Sequence, residues 1–295
     1  MVEKTEFQGF EAVRITNGKG DELTILTEVG PRIISFKPEG GENFFYLDEE
    51  SLRKKNINSD EWHVYGGTRL WVSPEGPTTY APDNVAVQAS LNDFRVTIMT
   101  LDESTSIKKI IQVQAEERHF TIDYTIVNEG SLLQTAGIWA LSCIIPGKGS
   151  AIYLPWGEGS EWNVKDMKYW RSWLGVGSDV ESKQWRPTNE FFIINPTGET
   201  GKVGFTNRHG FALFQRGDLS FIKKSDYIEG ADYPDDGCNF EIYTSSPFYE
   251  VETLSPLYCL KPGVSYTHRE EWWAGYDKID TNTIHSVKSF VEEIF

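Results

Sequence analysis

Apolar and polar positions alternate with period two along most of this chain, the repeat of a half-buried β-strand. Residues 11–15, 22–27, 32–36 and 44–47 are predicted as short strands, parted by Gly, Asn and Asp clusters. Residues 48–56 break the alternation and are predicted as a short helix with Asp48 as its cap. Alternation resumes at 85–90, 94–100, 107–114 and 120–127, an antiparallel meander joined by turns such as Asn92-Asp93. A longer apolar strand follows at 135–145, and further strands at 191–194, 203–206, 211–215, 219–223, 239–243, 249–255 and 265–273. Residues 282–295 carry Ile284, Val287, Val291 and Ile294 on one stripe, the pattern of an amphipathic helix that docks on the body. The expected fold class is all-β: a large two-sheet antiparallel β-sandwich with few short helices, formed by 1–295 as a single domain without linker or repeat.

One segment interrupts the rhythm. Residues 156–186 hold Trp156, Trp162, Trp170, Trp173 and Trp185 among Gly, Ser, Asp and Lys. An excursion of that length inside a sandwich is read as a structured functional loop or as an insertion packing its rings on the sheets.

Composition narrows the function classes. The 44 acidic and 28 basic residues give a formal charge of −16, which opposes nucleic acid and an anionic membrane surface as partners. Cys143, Cys238 and Cys259 lack C-x-x-C spacing and lie in strand-like runs, so buried free thiols are expected. The N-terminus carries no apolar signal core and no run approaches the length of a membrane span, so a cytoplasmic protein is expected. No pair of His63, His119, His209, His268 and His285 has zinc-ligand spacing, and Asp235-Asp236 could at most hold calcium weakly, so neither metal nor cofactor is expected. Motifs for a nucleophilic serine, a P-loop or dinucleotide binding are missing.

The most informative stretch is Y-G-G-T-R-L-W-V-S-P at 65–74, closed by Glu75. Its two glycines permit a tight turn. Leu70 and Val72 then face the core, while Arg69, Trp71 and Ser73 share the other side. A guanidinium fork beside a flat indole suits a polyhydroxylated ligand; it also suits a plain cation–π pair on an outer face. Asn239, Glu241 and Tyr243 likewise share one strand face, as do Glu250 and Glu252, and as do His268, Glu270 and Trp272. If these strands are neighbours, the carboxylates crowd and raise one another's pKa, which poises one as a general base; otherwise they form a solvated outer face. His63 precedes the glycine stretch, so it and His268 are the histidine candidates.

Y-G-G-T-R-L-W-V-S-P-E at 65–75 resembles the Gly-Gly-x-Arg segment of galactose mutarotase-like (aldose 1-epimerase-like) proteins. The resemblance continues through Gly204, Y-P-D-D-G-C-N-F-E at 233–241 and V-E-T-L-S-P-L-Y-C-L-K-P-G at 251–263, and is greatest to the branch of that superfamily with an H-x-E-x-W ending. It implies a β-supersandwich with sugar bound on a concave face. It further implies a glutamate that deprotonates the anomeric hydroxyl and a histidine that protonates the ring oxygen. Glu252 matches the base and Arg69 the ligand-binding arginine. The segment 137–144, G-I-W-A-L-S-C-I, lacks the histidine and carries Trp139 and Ser142 instead. The implied function is a sugar epimerase or mutarotase-like acid–base enzyme with Glu252 and His268, or His63, as catalytic groups. Arg69, Trp71, His63, Glu75, Trp139, Lys202, Lys223, Asn239, Glu241 and Glu270 are the expected substrate contacts. The partner is a small-molecule sugar or, if Arg69 acts with Lys202 or Lys223, a carboxylated or phosphorylated one. The alternatives are a non-catalytic carbohydrate-binding or regulatory module on the same face, and a polysaccharide lyase.

Overall fold

The computed structural model describes residues 1–76, 79–157, 165–173 and 177–295. In chain order the elements are β1 (Val2–Phe7), β2 (Phe10–Thr16), β3 (Glu22–Leu26), β4 (Arg32–Lys37), α1 (Glu49–Lys54), β5 (Thr68–Ser73), β6 (Gln88–Asn92), β7 (Arg95–Asp102), β8 (Ile107–Ala115), β9 (Phe120–Asn128) and β10 (Gln134–Ile144). Then come β11 (Ala151–Pro155), β12 (Met167–Tyr169), β13 (Trp185–Pro187), β14 (Phe191–Ile194), β15 (Gly201–Phe205), β16 (Phe211–Arg216) and β17 (Leu219–Lys224). The chain closes with the turn α2 (Pro234–Gly237), β18 (Phe240–Thr244), β19 (Tyr249–Leu254), β20 (Tyr258–Leu260), β21 (Ser265–Gly275) and α3 (Ile284–Ile294).

The strands form two antiparallel sheets. The first runs β1-β2-β3-β4-β5-β10-β19-β18-β15-β12, with β20 attached to β10; the second runs β13-β14-β11-β16-β17-β21-β9-β8-β7-β6. The expected sandwich is therefore present. Its interior follows from the alternation: Ile107, Ile111 and Val113 on β8, with Phe120, Ile122, Tyr124 and Ile126 on β9, are buried. They lie in one core with Ile25, Ile33, Leu70, Val72, Ile138 and Val251 of the first sheet. At its centre Phe36, Phe44, Phe221 and Trp272 meet with ring centroids 4.8 to 6.1 Å apart. Large buried rings of this kind supply several kcal/mol each against truncation, about 3–5 for Phe or Trp to Ala.

Both expected helices form. Asp48 starts α1, although its carboxylate takes the Ser51 hydroxyl rather than a backbone N–H. Thr283 caps α3 by accepting the Ser286 N–H, and Val287, Val291 and Ile294 pack on Phe191, Leu213, Ile222 and Trp273 of the second sheet.

Some expectations are corrected. Residues 44–47 make only isolated bridges, Phe45 to Ile144 and Leu47 to Gly66, while Phe44 and Phe45 pack into the core. The thiols of Cys143 and Cys238 are buried, but Cys259 is exposed on the short strand β20, which pairs only with β10 in the first sheet. Trp156 and Trp185 belong to the main core, whereas Trp162 lies outside the described residues.

Candidate functional site

The glycine stretch positions the first site residue. Gly66 and Gly67 have φ of +100° and +69°, and a Cβ on either would stand 1.9 Å from the Tyr46 carbonyl or 2.2 Å from that of Ile33. Only glycine allows this approach. It sends the chain into β5 with Arg69 and Trp71 facing outward, away from the second sheet, and Leu70 and Val72 facing the core.

Register then builds a row across five strands. Arg69 of β5 stands opposite Leu141 of β10, Leu141 opposite Glu252 of β19, Glu252 opposite Glu241 of β18, and Glu241 opposite Gly204 of β15. A second row on the same face holds Cys143, Glu250, Tyr243 and Lys202. Five carboxylate and cation positions from three separate parts of the chain are thus brought onto one face by antiparallel pairing.

Lys202 is the hub. Its buried Nζ lies 2.7 Å from Glu241 Oε2 and 2.9 Å from Glu252 Oε2. It also sits over the rings of Trp139, Trp170 and Trp173 at 4.7, 5.5 and 4.3 Å. Trp170 reaches this place because Gly204 has no side chain: a Cβ there would fall 2.7 Å from the indole and 2.5 Å from Cys238 Sγ. Burial alone would lower the Lys202 pKa, but Glu241 and Glu252 together outweigh it and the pKa is raised. Burial holds Glu241 well above the ordinary carboxylate range, with Glu252 adding to the effect and Lys202 opposing it. Glu252 is fully buried; its Oε2 also accepts the Trp139 Nε1–H at 2.6 Å, while Oε1 makes no hydrogen bond.

Above this layer opens a cavity of about 360 Å³ lined by Arg69, Glu75, Trp139 and Lys202, all expected from the sequence. Trp62, Tyr80, Leu141, Trp173, Tyr243, Phe248 and Glu250 complete the wall. Trp71 lies beneath it, buried against the Arg69 guanidinium at 4.5 Å and the Tyr80 ring at 5.5 Å. Burial raises the pKa of both Glu75 and Glu250, and the neighbouring Glu252 raises Glu250 further.

Five expected residues lie elsewhere. His268, Glu270 and Lys223 stand between the sheets. His268 Nε2 is 2.8 Å from Thr253 Oγ1, and by alternation Thr253 points to the side of β19 opposite Glu252. Burial and the nearby Lys223 push His268 down to about 3. Lys223 pairs with Glu270 at 3.0 Å and donates to the carbonyls of Ala140 and Val251, so it braces β10 and β19 from below. Burial lowers its pKa. The shared parity of these residues is real, but β21 belongs to the second sheet and turns that parity inward. Asn239 is structural as well, exchanging hydrogen bonds with the backbone of Asn207 at 2.6 and 2.9 Å. His63 is half-buried beside the Tyr65 ring and does not line the cavity. Among the described residues, no group of three or more His, Cys, Asp and Glu could hold a metal ion, and no helix is long and apolar enough to cross a membrane.

The wall residues missed from sequence differ in kind. Glu250 and Tyr243 share faces already seen in the alternation, and Trp173 lies in the tryptophan-rich excursion. Trp62, Tyr80 and Phe248 sit outside the regular strands, so no periodicity marks them.

Two antiparallel sheets of this size, with a polar, aromatic-walled cavity on one outer face, define a large mainly-β sandwich. Solved structures make the class specific. A candidate aldose 1-epimerase from Escherichia coli K12 superposes with a TM-score of 0.63 at 12% identity, over 94% of this chain and 100% of that one. A galactose mutarotase-like protein from Lactobacillus casei ATCC 334 gives 0.59 at 12%, over 90% and 100%. Another from Clostridium acetobutylicum gives 0.58 at 11%, over 94% and 99%. No protein-family model matches the chain, and no curated protein matches it in sequence. The chain has the galactose mutarotase-like fold.

Proposed function

We propose that the cavity over β5, β10, β19 and β18 binds an aldose or sugar acid and that the protein interconverts its anomers by acid–base catalysis. The observation that carries this reading is the in-register row from Arg69 through Glu252 to Glu241, roofed by an aromatic-walled cavity large enough for a monosaccharide. Aromatic rings offer apolar faces to a sugar's C–H surface, and Arg69, Glu75 and Glu250 offer hydrogen bonds to its hydroxyls.

Ring opening takes a proton from the anomeric hydroxyl, breaks the bond from the anomeric carbon to the ring oxygen, and delivers a proton to that oxygen. Rotation and the reverse steps give the other anomer. Glu252 is assigned the base, through its unbonded Oε1. With His268 on the far side of the sheet, Glu250 is assigned the acid: it lines the cavity on the same strand face, and burial and the neighbouring Glu252 raise its pKa. Two carboxyl groups whose surroundings differ in this way can divide acid and base roles.

One observation favours a second reading, a binding module without chemistry. Glu252 is wholly buried under Trp139 and Lys202 and is already ion-paired. Polarimetry and saturation-transfer NMR over hexoses and uronic acids, with Glu252→Gln and Glu250→Gln, separate the two. Interconversion lost in both variants, with sugar binding kept, supports the enzyme. Binding without interconversion in the wild type supports the module, and full activity in Glu252→Gln refutes the assigned base.

A further inference from the structure

Among the described cations lining the cavity, Arg69 is the one without an ion-pair partner. Lys202 is taken by Glu241 and Glu252. Among the described residues Arg69 makes no hydrogen bond and no ion pair, although it is half-buried. Its Cζ lies over two indoles, Trp62 at 5.1 Å and Trp71 at 4.5 Å. Rings on which the guanidinium rests occupy its flat faces and leave the N–H edge for a partner in the plane. That edge matches a carboxylate with two parallel hydrogen bonds.

The carboxyl groups nearby do not complete it. Glu75 and Glu250 line the same cavity without coming within ion-pair distance of Arg69; burial raises the pKa of both, and the Arg69 charge acts against that rise. Protonation of either carboxyl on ligand binding would let it donate to a sugar oxygen instead of repelling an anion. A second arginine, Arg32, stands beside Arg69 in register; its Nη1 donates to the carbonyls of Val64 and Gly66, while its Nε and Nη2 are unpartnered. Burial and repulsion from Arg69 lower Arg32 to about 10. An anion on Arg69 relieves that repulsion.

We propose that the ligand of this cavity is a sugar acid whose carboxylate is held by the edge of Arg69. This rests on the sugar reading above and narrows it. A single unpaired guanidinium matches a carboxylate monoanion better than a phosphate dianion, since Lys202 has no charge to spare.

The test is affinity, read from tryptophan fluorescence and checked by calorimetry, since Trp62, Trp139 and Trp173 line the cavity. The ligands are matched pairs: D-glucose against D-glucuronate, and D-galactose against D-galacturonate. D-glucose 6-phosphate and acetate are added as further arms. The uronate is expected to bind at least about tenfold tighter than its aldose. Arg69→Ala is expected to weaken the uronate by about 10- to 100-fold, the range of a hydrogen bond to a charged group, and to weaken the aldose by clearly less. Arg69→Lys is expected to restore only part, because an ammonium cannot form the fork. Circular dichroism checks that each variant is folded, and the wild-type ratio of uronate to aldose is a test that needs no variant. Equal affinity for aldose and uronate overturns the proposal. So does an equal loss of both in Arg69→Ala, tighter binding of the phosphate than of the uronate, or acetate binding as tightly as the uronate. If no sugar of any kind binds the folded wild type, the sugar reading itself falls and takes this inference with it.

Discussion

Lys202→Met removes one charge and keeps most of the side chain against Trp139, Trp170 and Trp173, so its effect isolates electrostatics. Lys202 holds Glu241 and Glu252 at 2.7 and 2.9 Å, and all three side chains are almost fully buried. Deleting one partner of a buried pair typically costs about 3–5 kcal/mol. A second route gives the same size. A buried carboxylate deprived of its cation takes up a proton, which at pH 7 costs about 1.4 kcal/mol for each unit above its ordinary value near 4.3, so about 4 kcal/mol. At roughly 2 °C per kcal/mol for a domain of this size, the melting temperature should fall by about 6–10 °C. The sign with pH follows. The folded variant holds a proton that the unfolded chain releases above about 4.3, so folding is favoured as pH falls. At pH 5 the deficit should shrink to about 1 kcal/mol. Urea unfolding of wild type and variant at both pH values measures it. Adding Glu241→Gln and Glu252→Gln to Lys202→Met should recover most of the loss. A deficit under about 1 kcal/mol at pH 7, or one of equal size at pH 5, would refute the argument that this cluster is an electrostatically closed unit.

Two further outcomes are expected. His268 is held at about 3, by burial first and then by Lys223. Between that value and about 6.5 the unfolded chain binds the proton and the folded one does not, so this residue costs stability as pH falls through the window, by up to about 1.4 kcal/mol per pH unit. Glu75, Asp235, Glu241 and Glu250 are raised mainly by burial and act with the opposite sign. The effect is therefore read as the difference between wild type and His268→Gln, and parallel pH curves would contradict it. For the thiols, a neutral disulfide reagent should modify Cys259 alone in the folded protein and all of Cys143, Cys238 and Cys259 in denaturant. Rapid native reaction of Cys143 or Cys238 would place those side chains wrongly.

The fold was legible because alternation is a local property. Strands such as β8, β9, β14, β17 and β21 begin where the pattern begins, and the terminal stripe of α3 docks as expected. Alternation says which residues share a face, but not whether that face looks inward. On β5 and β19 the polar parity faces the cavity. On β21 the polar parity faces the core, because Lys223, Thr253 and Ser225 supply buried partners for Glu270 and His268. The tryptophan-rich excursion divides in the same way: Trp156 and Trp185 reach the core, while Trp170 and Trp173 reach Lys202.

Register explains why the site was only half legible. Arg69, Leu141, Glu252 and Glu241 lie on four strands drawn from three distant parts of the chain, and no local pattern fixes their pairing. Once the row is known, the absence of a histidine from β10 acquires a physical meaning. The two outward positions of β10 nearest the base are Leu141, opposite Glu252, and Trp139, whose indole donates to that carboxylate. Neither can give a proton to a ring oxygen, since one is a hydrocarbon and the other donates to Glu252. Under the proposed function the acid is then another group of the cavity wall. Lys202 of β15 is locked between two carboxylates and neither Glu241 nor Glu252 lines the cavity, so Glu250 of β19 is the strand-borne carboxyl in its wall. The proposed chemistry therefore uses two glutamates two positions apart on a single strand, and the charge of Glu252 raises the pKa of Glu250 beyond the effect of burial.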